Sequence, residues 1–219
     1  MAWAIWQEIC KRVHNQLNQW TEINIDWVSS LLNSFHCANT KCGLQANTAA
    51  RIHGETSWRP PSPGQLRLDV DASFNHLNNS SSVGAVVRDI NGFVWGAKAK
   101  IIRCPSSVVS AELEAIRFGM DFCSLQGFTN VCIFSDSLLA IRAVETQSEN
   151  LGPEGAVAME IRSLLESPKF VSIRHMRRSA NRVAHFLAQK VCGSVLSFEY
   201  SIGSIPQWLA DLVKLDCGF

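Results

Sequence analysis

Leu66-Arg67-Leu68-Asp69-Val70-Asp71-Ala72 alternates strictly, with Leu66, Leu68, Val70 and Ala72 on one side and Arg67, Asp69 and Asp71 on the other. Successive side chains leave a pleated strand in opposite directions, so this period of two predicts a β-strand with one apolar face. The second face then carries carboxylates. Residues 83–89 and 93–97 read as two further strands. Asp89-Ile90-Asn91-Gly92 joins them, and its Asn-Gly pair favours the tight turn of a hairpin.

Farther on, residues 110–125 predict a helix with Ser110 placed to cap it and Leu113, Ile116 and Met120 spaced for a buried face. A short apolar strand, 131–134, runs into Ser135-Asp136-Ser137. Helices follow at 137–147 and, after Pro153, at about 154–166; then come a strand at 169–175 and a helix at 180–192. The order β-β-β-α-β-α-α-β-α implies an α/β domain with a mixed sheet and helices on its faces. Trp58-Arg59-Pro60-Pro61-Ser62-Pro63-Gly64 stops any helix and reads as a linker, 58–64. It separates the domain, 65–192, from a small helical appendage, 1–57, in which 2–20 and 24–35 have helical apolar spacing. The tail, 193–219, predicts a short helix around Pro206-Gln207-Trp208-Leu209.

With 20 Lys+Arg against 19 Asp+Glu in 219 residues, no global basic field draws the chain to polyanions. Nucleic-acid binding needs a local patch, and Arg174, Arg177, Arg178, Arg182 and Lys190 supply one without an intervening carboxylate. No apolar run approaches the roughly 18 residues of a membrane span. Polar residues interrupt Met1 to Trp20, which therefore does not read as a secretory signal. The eight cysteines are scattered and several fall in apolar patterns. They read as reduced thiols of an intracellular protein, nuclear or cytoplasmic. His36-Cys37 and Cys42 have the atoms to bind zinc, at a spacing that fits no common finger.

Three carboxylates stand at informative places. Asp71 is on the polar side of the first strand, Glu112 is near the start of the first helix, and Asp136 directly follows the fourth strand. If the first and fourth strands are neighbours, Asp71 and Asp136 meet, and Glu112 completes the group from above. Crowded carboxylates repel one another unless a cation neutralises them, and hard oxygen ligands suit Mg2+ or Mn2+. Two such ions about 4 Å apart can activate a water and stabilise the leaving oxygen of a phosphodiester.

Five segments occur in order: Leu68-Asp69-Val70-Asp71-Ala72-Ser73-Phe74, Gly84-Ala85-Val86-Val87-Arg88-Asp89 with Gly92, Ala111-Glu112-Leu113-Glu114-Ala115, Ser135-Asp136-Ser137, and Arg177 with Asn181, Ala184, His185, Leu187 and Ala188. Together they resemble the ribonuclease H type-1-like domains of plant non-LTR retrotransposon reverse transcriptases and their domesticated relatives. The resemblance implies a ribonuclease H-like fold, with a mixed five-stranded sheet in βββαβαβα order flanked by helices. It implies metal-binding catalytic carboxylates at Asp71, Glu112 and Asp136, two Mg2+ or Mn2+ ions, no small-molecule cofactor, and an RNA/DNA hybrid as partner. The RNA strand would be hydrolysed endonucleolytically to 5′-phosphate and 3′-hydroxyl ends. Arg177, Arg178, Asn181 and Arg182 are the candidate nucleic-acid contacts.

Two departures bear on activity. Ala72 stands where the family usually has Gly, and His185 stands where active bacterial-type enzymes carry a fourth carboxylate. A neutral imidazole can ligate a metal, favouring Mn2+, but removes one negative charge. His185 is therefore a candidate catalytic residue whose substitution weakens turnover. Asp69 shares the face of Asp71 and reads as a solvated or supporting carboxylate. Competing functions are a binding module with little turnover and a retroelement remnant. A 3′–5′ exonuclease expects Asp-x-Glu on the first strand, where this chain has Asp69-Val70-Asp71.

Overall fold

The alternating stretch forms β1 (Leu66–Asn75), which the sheet places between two partners of opposite direction. The computed structural model describes residues 57–75, 80–102, 105–146, 152–192 and 197–217. The N-terminal helices expected in 1–56, and His36, Cys37 and Cys42, lie outside the described residues. β2 (Ser80–Arg88) and β3 (Val94–Ile102) follow β1 as an antiparallel meander. Gly92 takes φ +74 at the turn, while the Asp89 carboxylate accepts from the backbone N–H groups of Asn91 and Phe93 at 2.9 Å. β4 (Val131–Ser135) pairs parallel to β1, and β5 (Phe170–His175) pairs parallel to β4.

A sixth strand enlarges the expected five. The tail contributes β6 (Phe198–Ser201), antiparallel to β3, which gives the order β5-β4-β1-β2-β3-β6. The helices are α1 (Val108–Leu125), α2 (Leu138–Glu145), α3 (Pro153–Leu165), α4 (Arg182–Val191) and α5 (Gln207–Cys217). None of the described helices is long and apolar enough to cross a membrane. Among the described residues, Cys123, Cys132 and Cys217 are free thiols.

Two cores lie on the two sheet faces. Leu68 and Val70 of β1 and Val83, Ala85 and Val87 of β2 pack under α1, α2 and α3. Val86, Ala97 and Ala99 pack under α4 and α5 on the other side. Gly84 lets α4 settle onto β2: an added Cβ would stand 2.6 Å from the Ala184 carbonyl and 2.6 Å from the Ala188 nitrogen. Both are backbone atoms that cannot swing aside. Gly84→Ala is therefore expected to destabilise the domain by about 1–3 kcal/mol, the usual range for overpacking, measured by thermal unfolding.

The polar face of β1 is not solvated. Arg67, Asp69 and Asp71 are each at most 2% exposed. Asp69, expected to be solvated or to support Asp71, instead accepts from Arg67 Nε and Arg88 Nη2, each at 2.6 Å. Arg88 Nη1 continues the chain to Asp216 of α5 at 2.9 Å. Trp58, within the expected linker, covers Arg88 at 4.4 Å from ring centroid to guanidinium, and Arg67 Nη1 donates to the Arg59 carbonyl at 2.8 Å. Arg67 also lies 3.9 Å over the Phe134 ring. Buried charges persist only when paired and hydrogen-bonded, and here Asp69 and Asp216 each have a guanidinium partner.

Candidate metal centre

The β1–β4 ladder ends with Val70 opposite Ser135, so Asp71, midway along β1, and Asp136 emerge together at the carboxyl end of β4. In open α/β sheets such ends are where ligands bind. Asp136 is not spent on capping: the Ser137 hydroxyl accepts from the Ala140 N–H and caps α2. α1 is capped by Ser107, whose hydroxyl accepts from the Ser110 N–H, and not by Ser110 itself. The helix therefore begins earlier than expected, and Glu112 sits in its second turn.

Asp71, Glu112 and Asp136 each offer an oxygen, all within 4.8 Å of one another. Among the described residues they form the one cluster of three His, Cys, Asp or Glu that could hold a metal ion. Asp71 is buried, Asp136 half-buried, and Glu112 9% exposed. Glu112 Oε2 is buried without a hydrogen-bond partner among the described residues. A buried acceptor left over beside two further carboxylates fits a hard cation, which would supply the missing positive partner.

Electrostatics point the same way. Burial, reinforced by the charges of Asp71 and Asp136, pushes Glu112 up to about 9, against the pull of the Ala72 backbone and Arg178. Burial and Asp136 likewise hold Asp71 well above the ordinary carboxylate range. A raised carboxyl pKa means that the folded chain binds more protons than the unfolded one. In chelator, stability should fall as pH rises from the ordinary Glu value of 4.5 towards 9, and Mg2+ should restore more of it at the alkaline end. Thermal unfolding across this range with and without Mg2+ measures the effect; a melting temperature insensitive to Mg2+ at all pH values would contradict it.

His185 projects from α4 to the same place, its Nδ1 2.8 Å from Asp71 Oδ2. Burial and the neighbouring Arg178 lower it to about 4, so the ring is neutral at pH 7 and hydrogen-bonded to Asp71 through Nδ1. Arg178 Nη2 lies 3.2 Å from the other ring nitrogen, Nε2. Arg178 belongs to a single 3-10 turn, Arg178–Ala180, that leads into α4, and Arg177, Arg178 and Arg182 are exposed there. Asn181 is not. The expectation that it contacts nucleic acid is overturned: it is fully buried and its amide donates to the Val70 carbonyl at 2.8 Å. It ties the start of α4 to the strand that carries Asp71. Removing it should leave that carbonyl unsatisfied, so Asn181→Ala is expected to cost about 1–3 kcal/mol in urea unfolding.

The residues missed by sequence reasoning are Arg67, Arg88 and Asp216, which neutralise Asp69. A charged residue alternating within a central strand was the available signal.

Comparison with known proteins places this arrangement. The model of the reverse transcriptase-like family matches residues 69–191, which include Asp71, Glu112, Asp136 and His185. A protein of Arabidopsis thaliana, provisionally named a ribonuclease H protein, is 26% identical over 183 residues. That match takes in 83% of this chain and 28% of the relative, so the chain spans little more than a quarter of that protein's length. Ribonuclease H1 from the halophilic archaeon Halobacterium salinarum superposes with a TM-score of 0.52 at 21% identity, over 58% of this chain and 96% of that one. The N-terminal ribonuclease H domain of a Mycobacterium tuberculosis protein gives 0.52 at 17% identity, over 60% and 95%. At these identities the two solved structures share the fold. Since the family match covers more than half of the sequence and its carboxylates converge as described, the chain belongs to the reverse transcriptase-like family.

Proposed function

We propose that this chain is an RNA/DNA-hybrid ribonuclease that cleaves the RNA strand with Mg2+ or Mn2+ held by Asp71, Glu112 and Asp136. One observation carries the proposal: three carboxylates meet at the carboxyl end of β4, beside the middle of β1, and one buried oxygen of Glu112 has no hydrogen-bond partner among the described residues. The ribonuclease H name of the plant relative and the ribonuclease H1 fold of the archaeal structure support it.

A divalent cation bound there would polarise the scissile phosphate and lower the pKa of an attacking water. The chain's own residues do the rest. Asp71 and Asp136, fixed by strand pairing, set where the phosphodiester lies. His185 holds Asp71 in one orientation through Nδ1. Arg177, Arg178 and Arg182 offer donors to backbone phosphates, which confers affinity without sequence preference. Hydrolysis joins a water oxygen to phosphorus as the P–O3′ bond breaks. The water gives up a proton and the leaving 3′-oxygen takes one, producing 5′-phosphate and 3′-hydroxyl ends.

A second function, hybrid binding with little turnover, is favoured by the neutral His185 at the fourth position. End-labelled hybrid incubated with the full chain in Mg2+, in Mn2+ and in chelator separates the two. Metal-dependent cuts within the RNA strand support the nuclease. Retention of the hybrid in a gel-shift assay without cleavage in either metal would sink the nuclease and favour the binding module.

A further inference from the structure

Three ionised carboxylates bring three negative charges into one small volume, and a single divalent cation cancels two of them. Where active bacterial-type relatives have a fourth carboxylate, which justifies a second cation, this chain has His185. The ring touches both Asp71 and Arg178. Nδ1 lies 2.8 Å from Asp71 Oδ2, and Nε2 lies 3.2 Å from Arg178 Nη2. Arg178 Nη2 is also 3.5 Å from Nδ1, so the guanidinium lies over the ring face, and a second metal approaching the imidazole would stand beside a fixed positive charge. Arg178 cannot shed its proton, and its charge acts on both Asp71 and Glu112.

Taking the metal-dependent function above as given, we propose that the centre takes one divalent cation, with the Arg178 guanidinium standing in for the second. One cation and one guanidinium then neutralise the three carboxylates. A second divalent ion beside Arg178 would meet like charge and find no anionic ligand added to receive it. The guanidinium also keeps donors free for a phosphate oxygen, since Arg178 is exposed at the mouth of the site. The centre would thus be single-metal by sequence, through two residues on one turn and the helix it starts.

Counting bound Mn2+ on the full chain tests this without reference to turnover. Free Mn2+ is read by electron paramagnetic resonance during titration at fixed ionic strength, for the wild type, Arg178→Gln, and Arg178→Gln combined with His185→Asp. The wild type is expected to bind one Mn2+ over the range in which the double variant binds two. Arg178→Gln, an exposed substitution that does not threaten folding, is expected to tighten the first Mn2+ by about fivefold through loss of like charge. Two ions on the wild type, one ion on a double variant whose circular dichroism matches the wild type, or unchanged affinity in Arg178→Gln would each overturn the single-cation assignment while leaving a metal centre standing. No Mn2+ on the wild type would overturn the metal centre itself.

Discussion

Asp136→Asn is expected to lower hybrid cleavage by at least about 10^2-fold to 10^3-fold, the scale on which removing one preorganised charge-stabilising group acts. The same substitution should raise the melting temperature in chelator. Asp136 is the largest charge acting on Asp71 and one of two carboxylates acting on Glu112, after burial itself. Neutralising it relieves that repulsion, and the amide keeps the shape. Opposite signs in the two measurements separate a functional carboxylate from a structural one, because a structural carboxylate would lose stability together with activity. Asp71→Asn should lose cleavage to a similar degree, with a smaller gain in stability because the amide keeps only part of the bond from His185 Nδ1. Cleavage by Asp136→Asn within tenfold of the wild type would remove it from the catalytic group.

Arg88→Met is expected to destabilise the domain by about 3–5 kcal/mol, the cost of leaving a buried charge without its partner. Asp69 would keep only Arg67, and Asp216 would lose the guanidinium that holds it at 2.9 Å. For a domain of this size the melting temperature should fall by about 10 °C or more. Combining Arg88→Met with Arg67→Met, Asp69→Leu and Asp216→Leu should recover much of the loss, because replacing a whole buried ion network with apolar side chains is often neutral. Urea unfolding of the single and quadruple variants measures both. A single variant within about 1 kcal/mol of the wild type would show that solvent reaches Asp69.

Local chemistry made the first half of the fold legible. Alternation in Leu66–Ala72 announced β1, Asn91-Gly92 announced the hairpin, and Ser135-Asp136-Ser137 announced a strand running into a helix cap, each through side-chain period or turn conformation. β6 was missed because four residues, Phe198–Ser201, carry no period of their own. Their order comes from pairing with β3 and from Trp208 of α5, whose ring meets Phe198 and Tyr200 edge-on. The three carboxylates could be named from sequence because topology brings them together. The partners of His185 could not, since its contact with Arg178 depends on a single 3-10 turn between them. Alternation also said that Asp69 and Asp71 share a face without saying what covers it. Asp69 lies under Trp58 and the guanidinium pair, and Asp71 opens towards the site.

That charged face of β1 guards the folding register. In a ladder with period two, a slip of one residue exchanges the two faces of a strand. A misregistered β1 would thrust Arg67, Asp69 and Asp71 into the apolar space beneath α1, which Leu68 and Val70 fill in the native chain. It would also leave Arg88 facing a leucine or valine. Three unpaired charges in a hydrocarbon interior are prohibitive, so competing alignments of β1 with β2 and β4 collapse before they can trap the chain.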